Sequence, residues 1–426
     1  MARPFLCLAV LMAVIALSPA IAQTTGSIRG QVVDTNDNPL PGVTVRVTGE
    51  LIRGERSSVT GSGGTFLFRA LPAGRCSVSA AREGFESQRL DDLYVGISAT
   101  TTVHFILPLA TVTETLEVTA TAPIVALTSS SFSTHYPAEF IEDLPTNRTF
   151  QDFMSVAPGI SQAEEGAVSF SAFGSSVSSN AWHIDGLDVT ATDTGNAWWY
   201  INPDAVAEVQ VMGVGLAAEY GNLMGAAINV LTKSGTNRFE GAIKWYEQFD
   251  ELTDSNVERE DREGSVYGFE RDVFRQITAV LGGPIRRDRG WFFGAYENYD
   301  DAITEPGVDP QFARPYQWER YDLKLSFSLN PKNTLELKGH YEDYDWNFAG
   351  NPFTAPSALA REYGTNPAWG LRWQSVLSSE TVLEVHYAGW EGEDLWRSQT
   401  GSTAPPFVDF TQPVPVSTGG VASRRS

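Results

Sequence analysis

The sequence predicts a mainly β protein in three parts: a small N-terminal β-sandwich, a mixed α+β unit, and the first strands of an incomplete transmembrane β-barrel. Three observations carry this. Short β-rich runs broken by Gly, Pro, Asn and Asp fill residues 26–109. From residue 238 onward, successive runs alternate polar and apolar side chains. The links between those runs (250–271, 284–290, 302–316, 330–333, 347–367 and 378–380) alternate long and short.

The chain begins with a leader. Arg3 precedes an apolar run from Leu6 to Leu17, and Ala20-Ile21-Ala22 follows as a small-x-small cleavage site. This predicts a secretory signal over 1–22 and a mature start near Gln23. The alternative, a membrane anchor, suits a longer run than this one. Cys7 falls inside the leader, which leaves Cys76 as the single cysteine of the mature chain, so no intramolecular disulfide is expected. The net charge of −22 disfavours nucleic acid as a partner. No later run is apolar for long enough to form a membrane-spanning helix, so an exported chain of this kind is periplasmic, secreted or a membrane β-barrel.

Residues 26–109 contain "GQVVDTNDNPLPGVTVRVTG", "GTFLFRALPAGRCSVSA" and "EGF". Val43, Val45 and Val47 alternate with Thr44, Arg46 and Thr48, as in a half-buried strand. The segment resembles the carboxypeptidase regulatory-like domain, a transthyretin-like β-sandwich that carries no peptidase chemistry of its own. Residues 110–131 follow as a connector rich in Thr, Ala, Val and Ser. Within it Glu114, Thr115, Leu116, Glu117, Val118, Thr119 and Ala120 alternate polar and apolar. Such a stretch can add as a strand to a partner's sheet edge, or be a plain linker or the first strand of the next unit.

Residues 132–237 hold "FIEDLPTNRTFQDFMSVAPGI", a short helical pattern that turns at Leu144-Pro145, resumes, and stops at Pro158-Gly159. "AWHIDGLDVT" places Asp185-Gly186 as a hairpin turn between two strand-like runs. "VAEVQVMGVGLAAEYGNLMGAAINVLTKSGTN" adds strands and the glycines 221, 225 and 235. With "LGGPIRRDRGWFFGAYE", these motifs are similar in kind and order to the α+β plug and first barrel strands of TonB-dependent outer-membrane receptors. They are most similar to the Oar-like subgroup, which carries an N-terminal regulatory-like domain. The resemblance implies structural roles for Arg148, Asp185, Gly186, Gly221, Gly225 and Gly235. It also makes Glu114 to Ala120 the candidate TonB box, and TonB with its inner-membrane energising complex the expected partner.

In the barrel region Phe239, Gly241, Ile243 and Trp245 interleave with Glu240, Ala242, Lys244 and Tyr246. Tyr321 to Leu329, Leu335 to Tyr341 and Thr381 to Tyr387 repeat the pattern, which sets one face in lipid and one in a polar lumen. Trp245, Tyr246, Tyr341, Tyr344, Trp369 and Trp373 suit interfacial girdles. About seven strands are expected over 238–426, against about 22 in a full barrel of this kind. The proline-rich, polar ending then reads as a truncation within an extracellular loop.

Catalysis is not expected. His183, Asp185 and the nearby Ser175, Ser176, Ser178 and Ser179 lack a nucleophile motif, and the acidic "EREDRE" fits a solvated loop better than a calcium site. No cofactor is implied. Trp198, Trp199 and Tyr200 fit either a stacking surface for sugars or apolar ligands, or core packing of the plug. The expected function is energy-coupled uptake of a carbohydrate, peptide or metal chelate by a barrel embedded in outer-membrane lipid, with the N-terminal sandwich in the periplasm. The alternatives are a non-transporting binding or adhesion protein, or a soluble periplasmic sandwich-plus-plug fragment.

Overall fold

A computed structural model describes residues 24–110, 133–144, 154, 156–162, 170–191, 194–213, 215–216, 220, 223–249, 270–304, 314–347, 358–378, 381–399, 407–409, 416–418 and 422–425. The expected leader over 1–22, Glu114 to Ala120, Arg148, Gly221 and "EREDRE" lie outside the described residues.

Seven strands build the sandwich: β1 (Thr25–Val33), β2 (Thr44–Thr48), β3 (Arg56–Val59), β4 (Thr65–Pro72), β5 (Gly74–Ala81), β6 (Gln88–Val95) and β7 (Thr100–Ile106). They form two sheets, ordered β4-β1-β7 and β3-β2-β5-β6. The valines of β2 point inward, as the alternation requires, and meet Phe66, Phe68 and Phe105 in one dry core.

The plug begins with β8 (Ser133–Pro137) and the short helix α1 (Ala138–Asp143), which stops at extended Leu144 ahead of Pro145. Then come β9 (Ile160–Gln162), β10 (Phe170–Ala172), β11 (Ala181–Ile184), β12 (Leu187–Asp188), a 3-10 turn (Pro203–Ala205), β13 (Val206–Met212) and β14 (Ala227–Thr232). The main sheet runs β12-β11-β14-β13-β8, with β8 at its edge. Trp182, Val209 and Ile228 are buried in its core.

The remaining chain forms a wall of long antiparallel strands: β15 (Glu240–Phe249), β16 (Glu270–Arg286), β17 (Gly290–Thr304), β18 (Arg314–Asn330), β19 (Asn333–Asn347), β20 (Ala360–Thr365), β21 (Ala368–Val376), β22 (Val382–Trp390) and β23 (Glu393–Ser398). A small pair, β24 (Phe407–Asp409) and β25 (Val416–Thr418), precedes β26 (Ala422–Arg425), which pairs with β23. No barrel closes among the described residues. No described helix is long and apolar enough to cross a membrane, a fact that says nothing about strands.

Several short elements are parts of longer strands. His340 pairs with Ala368 and Asp343 with Thr365, so three steps along β19 match three steps back through Pro367 without a register shift. Ala368 pairs with Trp390 and Thr365 with Glu393 in the same way. Thus β20 and β21 are one strand interrupted at Asn366-Pro367, and β22 and β23 are one strand interrupted at Glu391-Gly392. Part of the link expected at 347–367 is therefore strand.

The wall is inverted relative to a soluble sheet. Ile243 and Trp245 are 82% and 67% exposed, whereas Gln276 and Glu297 are fully buried. Leu323, Leu371, Leu383, Val385 and Tyr387 share the outer face, while Arg320, Lys324, His340 and Glu342 point inward to the plug. This parity corrects two girdle expectations. Tyr246 shares the inward face of Lys244, and Tyr344 that of Glu342, where its hydroxyl bonds Asp394. Trp245, Tyr341 and Trp369 do face outward.

Candidate functional site at the seam between plug and wall

The polar inner face of the wall is held to the plug at several points. The first is the Asp185-Gly186 turn. Both residues have positive φ, +51° and +85°, the geometry of the two-residue turn that Asp-Gly favours. The turn carries the Asp185 carboxylate to Thr232, which donates its backbone N–H at 3.0 Å and its hydroxyl at 2.6 Å. Two wall lysines reach the same group, Lys324 Nζ at 3.1 Å and Lys338 Nζ at 3.2 Å. Burial alone would raise the Asp185 pKa, but these ammonium groups and the Thr232 hydrogen bonds hold it well below the usual carboxylate range.

A second contact uses the 3-10 turn. The Asn202 side chain caps it by accepting the Asp204 N–H at 2.9 Å, and its amide donates to the Tyr296 carbonyl at 3.1 Å. Asp204 then receives Lys244 Nζ and the Thr278 hydroxyl, each at 2.6 Å. A third is an ion triad within the wall, in which Arg320 bridges Glu297 at 2.9 Å and Glu342 at 2.5 Å. Gln276 and Asn366 satisfy further carboxylate oxygens, and the ring of Tyr200 lies 5.5 Å from the Arg320 guanidinium.

The three plug aromatics enter this seam. Trp199 is buried and stacks on His340 with centroids 4.1 Å apart. Trp198 donates its indole N–H to Asn366 Oδ1 at 3.0 Å and packs beside Trp390 at 5.3 Å. It lies against Gly392, so the indole seats on the interruption shared by the last two long strands. A cavity of about 60 Å³ bounded by Asp185, Trp199, Lys324 and His340 has room for waters.

Asp185, Gly186, Trp198, Trp199 and Tyr200 thus lie along one seam, though not in one pocket. Gly225 and Gly235 are close-approach positions: a Cβ would overlap Asn180 at the first and the Phe292 carbonyl at the second. His183 is edge-on to Tyr220, 5.9 Å away, and burial lowers its pKa. The carboxylate of Asp185 turns to Thr232 and the lysines, so histidine, carboxylate and serine form no relay. Sequence reasoning did not single out Lys324, Lys338, Arg320 or Glu297 as seam residues. Their signal was a charged side chain on the inward parity of an otherwise apolar strand.

Residues 27–108 match the carboxypeptidase regulatory-like domain, and residues 126–227 match the TonB-dependent receptor plug domain. The chain is 26% identical over 293 residues to the TonB-dependent transporter Oar of Myxococcus xanthus, covering 66% of this chain and 27% of that relative. The chain thus spans about a quarter of the length of the curated relative it matches. In fold it is similar to the outer membrane transporter YddB from Escherichia coli, with TM-score 0.51 and 15% identity, over 67% of this chain and 42% of that one. A match to the regulatory-like domain, a match to the plug domain of TonB-dependent receptors and a run of long antiparallel strands follow one another along this sequence, so in domain order the chain is similar to Oar-like TonB-dependent receptors.

Proposed function

We propose that this chain serves TonB-dependent, energy-coupled uptake of a ligand across the outer membrane of a Gram-negative bacterium. The observation that carries the reading is the inverted wall, apolar outside and charged inside, with the plug held against its charged face. An apolar outer face suits lipid, and a plug held by hydrogen bonds and ion pairs can be displaced without unfolding the wall. The sandwich touches the end of the wall that carries the tight turns, which is the periplasmic end in outer-membrane barrels. There the Arg53 guanidinium lies 3.7 Å over Trp291, and Arg238 pairs with Glu50 at 3.0 Å.

In this reading the connector lies in the periplasm and Glu114 to Ala120 pairs with TonB as an added strand. TonB and its inner-membrane energising complex then draw on the plug through that segment. The ligand is a carbohydrate, a peptide or a metal chelate, and Trp198, Trp199 and Tyr200 are its candidate contacts if the plug shifts from Asn366, His340 and Arg320. The test is deletion of residues 114–120 in the full-length receptor, with surface binding and uptake measured in cells. Binding should persist and uptake should fall to the level of a strain lacking TonB. Undiminished uptake would sink the proposal and favour a binding or adhesion protein.

A further inference from the structure

One buried carboxylate ties together two parts of the chain that are distant in sequence. Glu208, in β13, has a side chain only 1% exposed. Its Oε1 lies 2.5 Å from Nδ1 of His135, in the plug's edge strand β8. The same carboxylate accepts the backbone N–H of Ile97, in the sandwich, at 3.1 Å and 3.3 Å to its two oxygens. The Tyr94 hydroxyl of the sandwich is also affected by this carboxylate: burial first, and then the Glu208 charge, push it above the usual phenol range. Gly96 lets the two domains meet this closely, since a Cβ there would crowd the His135 ring and the carboxylate itself.

A buried carboxylate is costly unless its lone pairs are filled. Here the donors come from both sides, so withdrawal of either the sandwich loop or β8 leaves Glu208 short of partners. The edge position of β8 makes this matter. It is a five-residue strand paired, among the described residues, only with β13, from Ser133↔Met212 to Pro137↔Glu208. The chain enters it at Ser133 from the connector, which at its other end leaves the sandwich after Ala110. Tension on the connector therefore acts on the two elements that share Glu208.

We propose that Glu208 is a latch common to the sandwich and β8, so that the docked sandwich holds the first plug strand in its sheet and undocking of one loosens the other. The sandwich then acts as a brake on plug release. The use of this brake in transport rests on the uptake reading above; the latch itself does not.

The experiment is hydrogen exchange of the purified full-length receptor, without TonB, read on the amides of 133–137. Gly96→Val wedges the sandwich loop away from Glu208 but also meets the His135 ring, so its effect on β8 is read together with that of a second variant. Tyr94→Phe removes the sandwich hydroxyl on which the Glu208 charge acts, without changing shape, and decides the matter if the valine variant does not fold. Exchange in β8 should rise about tenfold with Gly96→Val and about threefold with Tyr94→Phe, while β1 and β2 stay protected. If Ile97 loses protection and β8 does not, the latch is overturned. Loss of uptake on deleting 114–120 has no bearing on this result, so the two readings fail separately.

Discussion

Asp185 shows how a single residue can be legible and its purpose hidden. The pair Asp-Gly announces a hairpin turn, because both residues tolerate positive φ. Its partners Lys324 and Lys338 lie 139 and 153 residues away, beyond any local pattern. Replacing Asp185 by Asn keeps the turn but deprives the buried Lys324 ammonium, and the partly buried Lys338 ammonium, of this counter-charge. Loss of one partner from a buried ion pair costs about 3–5 kcal/mol, so amide exchange over 181–188 should accelerate by at least about a hundredfold. The carboxyl is depressed in the folded state. Its contribution is therefore complete above the unfolded carboxylate value of about 3.9 and is lost only as pH falls through the lower folded value. Protection of this turn in the native protein should consequently stay flat from neutral pH to about pH 4. A fall beginning near pH 6 would show that the lysines do not hold the group as described.

At the scale of elements, period-two alternation revealed β18, β19 and β22 because their outer faces carry apolar stretches: Tyr321 to Leu329, Leu335 to Tyr341 around Gly339, and Leu383 to Tyr387. Residues 360–365 escaped for a physical reason: "AREYGT" alternates charged, aromatic and glycine residues, and Pro367 follows as a strand breaker. The register passes through that proline unchanged because the flanking pairs carry it, including the Glu391 N–H to the Pro367 carbonyl at 3.0 Å. The interruption gives Trp198 its seat against Gly392. Gly392→Ala should therefore push the indole off Asn366, with an overpacking cost of about 1–3 kcal/mol. The readout is exchange over 196–201, which should rise while exchange in β17 and β18 is unaffected. No change at 196–201 would mean that Trp198 is not seated there.

For the whole molecule, the deciding feature is which side of the wall is dry. A soluble sheet of this size buries its leucines and exposes its charges, and this one does the reverse. The plug supplies the polar partner for the inner face, so the outer face needs an apolar solvent of its own. Leu323 makes the point measurable. It is 49% exposed near the middle of β18, paired with Gly294, and its side chain shares the outer face, opposite to that of the buried Lys324. In water, an exposed Leu→Arg change away from special features alters stability by no more than about 0.5 kcal/mol. At the midplane of a bilayer the same change costs about 2–4 kcal/mol. The protein refolded into vesicles should therefore lose stability in that larger range with Leu323→Arg in urea titrations. The inward Ser326→Ala variant tests packing against the plug instead and should not reproduce that loss. If Leu323→Arg were neutral in vesicles, the outer face would not meet lipid, and an adhesion or soluble role for the wall would have to replace the membrane reading.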